Sequence, residues 1–167
     1  MKEIRAGDVM LIGTAKGFVP KAIRYFTKCK YNHAGIVVDY LGDLYMLEAQ
    51  ERGFHPSNRL DNWLTEKKKN KDNVLFIRPK RIFFLKDVYV NLSKMVGANY
   101  EFTNLVFFQL IKAMTGIYFG SRDSKTVICS EAVAYAYPEL FEEPFSTTPE
   151  EIYENPEFFE VLKLNFK

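Results

Sequence analysis

Ala34-Gly35-Ile36-Val37-Val38-Asp39-Tyr40 and Asp43-Leu44-Tyr45-Met46-Leu47-Glu48-Ala49, joined by Leu41-Gly42, decide how this chain is read. Both runs are apolar and β-branched or aromatic, and a glycine in the second turn position predicts a hairpin with a two-residue turn. Tyr40 then faces Asp43, Gly35 lies across from Glu48, and His33 lies across from Gln50. Side chains alternate along each strand, so Glu48 emerges on the same face as His33, as its diagonal neighbour. Diagonal neighbours stand about 7–8 Å apart, within reach of long side chains. A three-residue turn would invert the parity and separate the two groups. Gln50 is the alternative partner for His33 in the short-turn register.

The same procedure organises the rest of the chain. Asp8-Val9-Met10-Leu11-Ile12-Gly13 reads as a short buried strand, and Phe18, Ala22, Ile23 and Phe26 share one helical face. His55 lies in the loop-like Gly53-Phe54-His55-Pro56, and the run Glu66 to Asn73 reads as a solvated charged loop. Asn73 to Pro79 is a strand that proline should end, because it lacks the ladder donor. Helical spacing follows over Leu85–Val96 and Phe102–Met114, broken by Gly97-Ala98-Asn99-Tyr100. A helix from Thr126 should stop before Pro138, with Ser124 or Thr126 as its cap. Thr147-Thr148-Pro149-Glu150-Glu151 starts a short final helix, and Val161 to Leu164 reads weakly as a strand.

With 167 residues, 47% hydrophobic and 26% charged, the chain is expected to fold as one α+β domain covering 1–167. Twenty-three basic residues against 21 acidic ones give a net charge of +2, too weak a field to name nucleic acid or an anionic membrane as main partner. Any charged partner must be recognised locally. The apolar stretch from Leu105 to Phe119 is too short to span a bilayer, so no integral membrane segment is expected. The charged N-terminus shows no export signal, which points to the cytoplasm, where Cys29 and Cys129 stay as free thiols.

Chemistry centres on one cysteine. Cys129 is expected in the first turn of its helix, where unpaired amides and the helix dipole favour thiolate. A lone cysteine is more often a small buried hydrophobe, so the reading needs a base nearby. His33, at a strand mouth, supplies one, and Glu48 can fix its tautomer and stabilise its cation. A zinc site from Cys29, His33, His55 and Cys129 matches no compact ligand spacing, so neither metal nor cofactor is expected.

Asn32-His33-Ala34-Gly35-Ile36-Val37-Val38, Leu47-Glu48-Ala49, Gly97-Ala98-Asn99-Tyr100-Glu101-Phe102 and Ile128-Cys129-Ser130-Glu131-Ala132 resemble, in that order, the permuted NlpC-type papain-like amidases, in particular the YaeF/YiiX group. Gly7-Asp8-Val9-Met10-Leu11 and Thr148-Pro149-Glu150-Glu151-Ile152 are also similar, so the resemblance spans nearly the whole chain. It implies a circularly permuted papain-like fold, a small antiparallel sheet packed against helices, with histidine preceding cysteine. It also implies Cys129 as nucleophile, His33 as base and Glu48 as the third polar residue. Tyr100, whose place matches a family tyrosine, joins Gln50 and Ser130 as expected substrate-binding residues.

The expected reaction is amide hydrolysis of a small peptide, an amino-acyl amide or a lipid-linked substrate through a Cys129 acyl-enzyme. Lipid acyltransferase or thioesterase chemistry on the same fold is the alternative within the enzymes. A catalytically inactive module gripping a peptide or cell-wall fragment is the alternative outside them. Oligomeric state is left open.

Overall fold

The computed structural model describes residues 3–14, 30–50, 53–95, 129–144 and 147–166. Its organising element is the hairpin of β2 (His33–Tyr40) and β3 (Asp43–Gln50). Tyr40 pairs with Asp43 and Gly35 with Glu48, the register of a two-residue turn. Leu41 and Gly42 both take positive φ, 55° and 87°, the conformation whose twist matches the flanking strands.

Strand β1 (Val9–Gly13) lies between β2 and β5 (Asn73–Pro79), antiparallel to each. Two more strands, β4 (Gly53–Arg59) beside β3 and β6 (Phe158–Asn165) beside β5, complete a six-stranded antiparallel sheet in the order β4-β3-β2-β1-β5-β6. The described helices are α1 (Leu60–Asn70), α2 (Leu85–Ser93), α3 (Cys129–Ala136) and α4 (Pro149–Glu154). The domain is therefore α+β, as expected.

Period-two alternation divides the sheet's side chains between two cores. Val9, Leu11, Ala34, Ile36, Leu47 and Leu75 meet Val88 and Leu92 of α2 and Cys129, Val133 and Ala136 of α3 on one face. Met10, Ile12, Val37, Met46, Val74 and Phe76 meet Leu60 and Trp63 of α1 on the other. β1 is buried along its whole length because both of its faces are covered. The α4 start is a capping box: the Glu151 amide donates to Thr148 Oγ1 at 3.2 Å, and the Thr148 amide donates to Glu151 Oε2 at 2.6 Å.

Two local expectations are corrected. Gly53-Phe54-His55-Pro56 is not a loop but the first half of β4, where Phe54 is buried and Pro56 is exposed at the sheet's edge. Glu66 to Asn70 is not a loop but the end of α1, held by Leu60 and Trp63 packing below it. Lys67, Lys68 and Lys69 complement the helix's negative end, and Lys71 at φ 60° stops it. A run of like charges conceals a helix when the apolar residues that anchor it precede the run. The helices expected over Phe18–Phe26 and Phe102–Met114, and the cap at Ser124 or Thr126, lie outside the described residues.

Asp8 ties the sheet's ends together in sequence. Its carboxylate accepts from Arg78 Nε at 2.6 Å and Nη2 at 2.9 Å, and from the Arg5 amide at 2.8 Å. Asp8 is fully buried, and this pairing joins the entry to β1 with the exit of β5. The bidentate arginine 70 positions away is not legible in the sequence.

Candidate active site

His33 opens β2 and pairs with Ile12 of β1, so the ring stands at the end of the sheet opposite the β2–β3 turn. Glu48 sits on the facing strand, opposite Gly35, with its carboxylate on His33's side of the sheet. Glu48 Oε2 accepts from His33 Nε2 at 2.7 Å. Gly35 makes this diagonal approach feasible. A Cβ there would lie 3.0 Å from the Leu47 carbonyl oxygen, 3.0 Å from Met10 Cε and 3.2 Å from Glu48 Cβ.

The other carboxylate oxygen is also engaged. Glu48 Oε1 accepts from Ser57 Oγ of β4 at 2.9 Å and from Trp63 Nε1 of α1 at 3.0 Å. Lys67 lies over the Trp63 ring, 5.1 Å from its centre, and adds positive charge nearby. A carboxylate only 1% exposed is costly unless it is satisfied in this way. Burial works against its charge, but the hydrogen bond and charge of His33, then Lys67 and Ser57, outweigh it and hold Glu48 at about 2.

Cys129, the first described residue of α3, belongs to the core on the opposite face of the sheet and is 1% exposed. It nevertheless acts on His33, favouring the charged form of the imidazole at the strand's end. Nε2 is committed to Glu48, which leaves Nδ1 for the thiol. Burial disfavours the imidazolium, yet the charge and hydrogen bond of Cys129, followed by those of Glu48, push His33 up to about 10. The ring is thus a cation over the neutral pH range, held on one nitrogen by the ionised Glu48 carboxylate.

The structure therefore brings together Cys129, His33 and Glu48. Ser130, next to the thiol, is fully buried, and its hydroxyl has no hydrogen-bond partner among the described residues. Tyr100 and the side chain of Gln50 lie outside the described residues. His55 stands opposite Glu48, but its Nδ1 bonds the Pro56 carbonyl oxygen at 3.0 Å. Sequence reasoning missed Ser57, Trp63 and Lys67. Once β4 and α1 were recognised, the chain's single tryptophan one turn before Lys67 would have been the available signal.

Comparison with known proteins places the fold. No protein-family model matches the chain, and no curated protein matches it. Among solved structures it is similar to the crystal structure of the metalloprotein yiiX from Escherichia coli O157:H7, with 16% sequence identity and a TM-score of 0.61. The match covers 96% of this chain and 97% of that one. The two share a fold over essentially their full length. Among the described residues of this chain, no group of three or more His, Cys, Asp and Glu side chains is arranged to hold a metal ion. Nor is any described helix long and apolar enough to cross a membrane.

Proposed function

We propose that this protein is a cysteine hydrolase of the amidase type, built on a permuted papain-like arrangement. The observation that carries the reading is His33 bonded to the Glu48 carboxylate at 2.7 Å and close enough to the Cys129 thiol for it to raise the imidazole's pKa. This is the nucleophile, base and orienter set that acyl transfer requires.

In the proposed reaction Cys129 Sγ attacks the substrate carbonyl carbon as a thiolate, with the proton already on His33. The imidazolium gives that proton to the leaving amine as the carbon–nitrogen bond breaks, which leaves an acyl thioester on Cys129. His33, now neutral, takes a proton from water, whose oxygen attacks the thioester and releases the acid and the Cys129 thiolate, with the proton left on His33 as at the start. Glu48 keeps the proton on Nε2 throughout, so that Nδ1 faces the thiol in each half-reaction. Ser130 supplies a buried hydroxyl for the substrate beside the nucleophile.

One observation favours acyl-chain substrates as a second reading. A groove of about 410 Å³ on Cys129's face of the sheet is lined by Val38, Tyr40, Tyr45, Leu47, Tyr89 and Leu92. An apolar groove of this size suits an acyl chain, the substrate class of a thioesterase or acyltransferase.

The test is trapping of the acyl-enzyme. Wild-type protein is incubated with a panel of amino-acyl amides, short peptides and acyl thioesters, quenched in acid and examined by intact mass and peptide mapping. The expected result is an acyl adduct on Cys129 that is absent in Cys129→Ala and His33→Ala and that persists in the presence of a chelator. Turnover that survives in Cys129→Ala overturns the proposal, and the preferred leaving group separates amidase from thioesterase.

A further inference from the structure

Lys80-Arg81-Ile82-Phe83-Phe84-Leu85-Lys86 connects β5 to α2 at the end of the sheet opposite His33. Ile82 is 96% exposed, Phe84 75% and Leu85 42%. Large apolar side chains scattered singly on a surface need no explanation, but three within four residues do.

This segment is anchored rather than loose. The Lys80 amide donates to the Glu157 carbonyl oxygen at 2.7 Å, and the Phe83 ring packs edge-on against Tyr137 with centres 5.1 Å apart. The Asp87 amide donates to the Phe84 carbonyl oxygen at 2.9 Å and begins α2. With Phe83 turned inward, Ile82 and Phe84 are held outward on either side of it. Val90, one turn into α2, extends the apolar surface at 46% exposure.

Cations flank the apolar side chains at both ends. Lys80, Arg81 and Lys86 are exposed, and Arg5 joins Lys80 and Arg81 in lining an adjoining groove of about 410 Å³. Among the described residues the nearby acids include Glu157, 3.3 Å from Arg81, Asp87 in the first turn of α2, and Asp8 in the groove itself. The Arg81–Glu157 pair is exposed on both sides and is worth little in water. Arg78, also in this groove, is committed to Asp8.

We infer that residues 80–86 form a docking surface for an anionic lipid bilayer. Protruding apolar side chains between cations match the bilayer interface, where such groups insert to acyl depth and the cations meet anionic headgroups. The whole-chain charge of +2 does not reveal this surface because it sums over all residues, whereas Lys80, Arg81 and Lys86 fall within one short segment. Docking through this end leaves the His33 end of the sheet facing away from the membrane.

Vesicle flotation of the full chain tests the inference. Wild-type protein is expected to float with phosphatidylcholine vesicles containing phosphatidylglycerol, and not with phosphatidylcholine alone. Ile82→Ser with Phe84→Ser should weaken binding by at least about tenfold, since each side chain contributes a substantial buried apolar area. Lys80→Ser and Lys86→Ser should each weaken it roughly fivefold, and more salt should weaken wild-type binding. All four positions are exposed, so unchanged melting temperatures confirm folded variants. Absence of lipid-dependent flotation, or undiminished flotation of the Ile82/Phe84 variant, overturns the inference. So does a wild-type dimer, seen by light scattering without vesicle binding, that the same variant dissociates, because the occupant is then a second copy. Acyl-enzyme formation on a water-soluble substrate should be unchanged in these variants, so the two proposals fail independently.

Discussion

Glu48→Gln preserves shape and removes one charge at the centre of the candidate site. Among the described residues, donors on the wild-type carboxylate include His33 at 2.7 Å, Ser57 at 2.9 Å and Trp63 at 3.0 Å. A carboxamide has only one accepting oxygen. If it serves Ser57 and Trp63, its NH₂ group confronts His33 Nε2, which can accept only when the ring proton sits on Nδ1. That places the proton on the side of Cys129 and disables the ring as a base for the thiol. The loss of one hydrogen bond to a charged group, about 1.5–3 kcal/mol, sets the expected destabilisation at about 2 kcal/mol in urea unfolding. The His33 pKa must fall, because both the charge and the hydrogen bond of Glu48 raise it. In a Cys29→Ser background, Cys129 alkylation by iodoacetamide at pH 6 should slow at least tenfold, about 1.4 kcal/mol in barrier. NMR titration of His33 and the alkylation rate are read on the same samples. A wild-type His33 titration together with a wild-type alkylation rate would refute the role of Glu48 as orienter.

The remaining expectations concern neighbouring residues. Gly35→Ala forces a Cβ to 3.0 Å from the Leu47 carbonyl oxygen, which the sheet cannot move, and to 3.2 Å from Glu48 Cβ. It should cost about 1–3 kcal/mol and slow alkylation, and a stable variant with unchanged reactivity contradicts the packing argument. Asp8→Asn removes the charge that pairs with the partly exposed Arg78, so a loss of about 1–3 kcal/mol in chemical unfolding is expected, with no change in the pH profile of Cys129 labelling. Ser130→Ala removes a buried hydroxyl that has no partner among the described residues and should raise stability by about 1 kcal/mol while lowering turnover; a parallel loss of both would show that the hydroxyl is structural.

Stability should also follow pH with a sign set by each group. Glu48 is held at about 2, below its unfolded value of 4.5, so its contribution is complete above pH 4.5 and disappears as pH falls through about 2. His33 is raised from 6.5 to about 10, so its contribution is complete below pH 6.5 and disappears as pH rises through about 10. Melting temperature against pH should therefore show a plateau between these limits, with Glu48→Gln flattening the acid limb and His33→Ala the alkaline one.

The site's strand half was legible because hairpin geometry is local. A glycine after Leu41 selects the two-residue turn, the turn sets the register, and the period of two puts Glu48 beside His33. The proline and capping residues at Thr148-Pro149 marked α4 for the same reason. α1 was hidden because Leu60 and Trp63 anchor a helix whose remaining turns are charged, and β4 because Pro56 and Gly53 imitate a loop. Both elements contribute partners to Glu48, so the support around the carboxylate was lost with them.

By itself the sequence determined what depends on neighbours along the chain: alternation, turn type, the strand at Asn73–Pro79 with its proline stop, and the diagonal placement of His33 and Glu48. Tertiary structure alone decided what depends on approach across the fold. It buried Glu48 beneath Trp63 and Ser57, paired Asp8 with Arg78, and brought Cys129, from the core on one face of the sheet, to act on an imidazole that Glu48 holds on the other. The physical reason is range. Backbone geometry and side-chain periodicity act over a few residues, whereas the field on a buried charge is set by whichever distant segments pack against it.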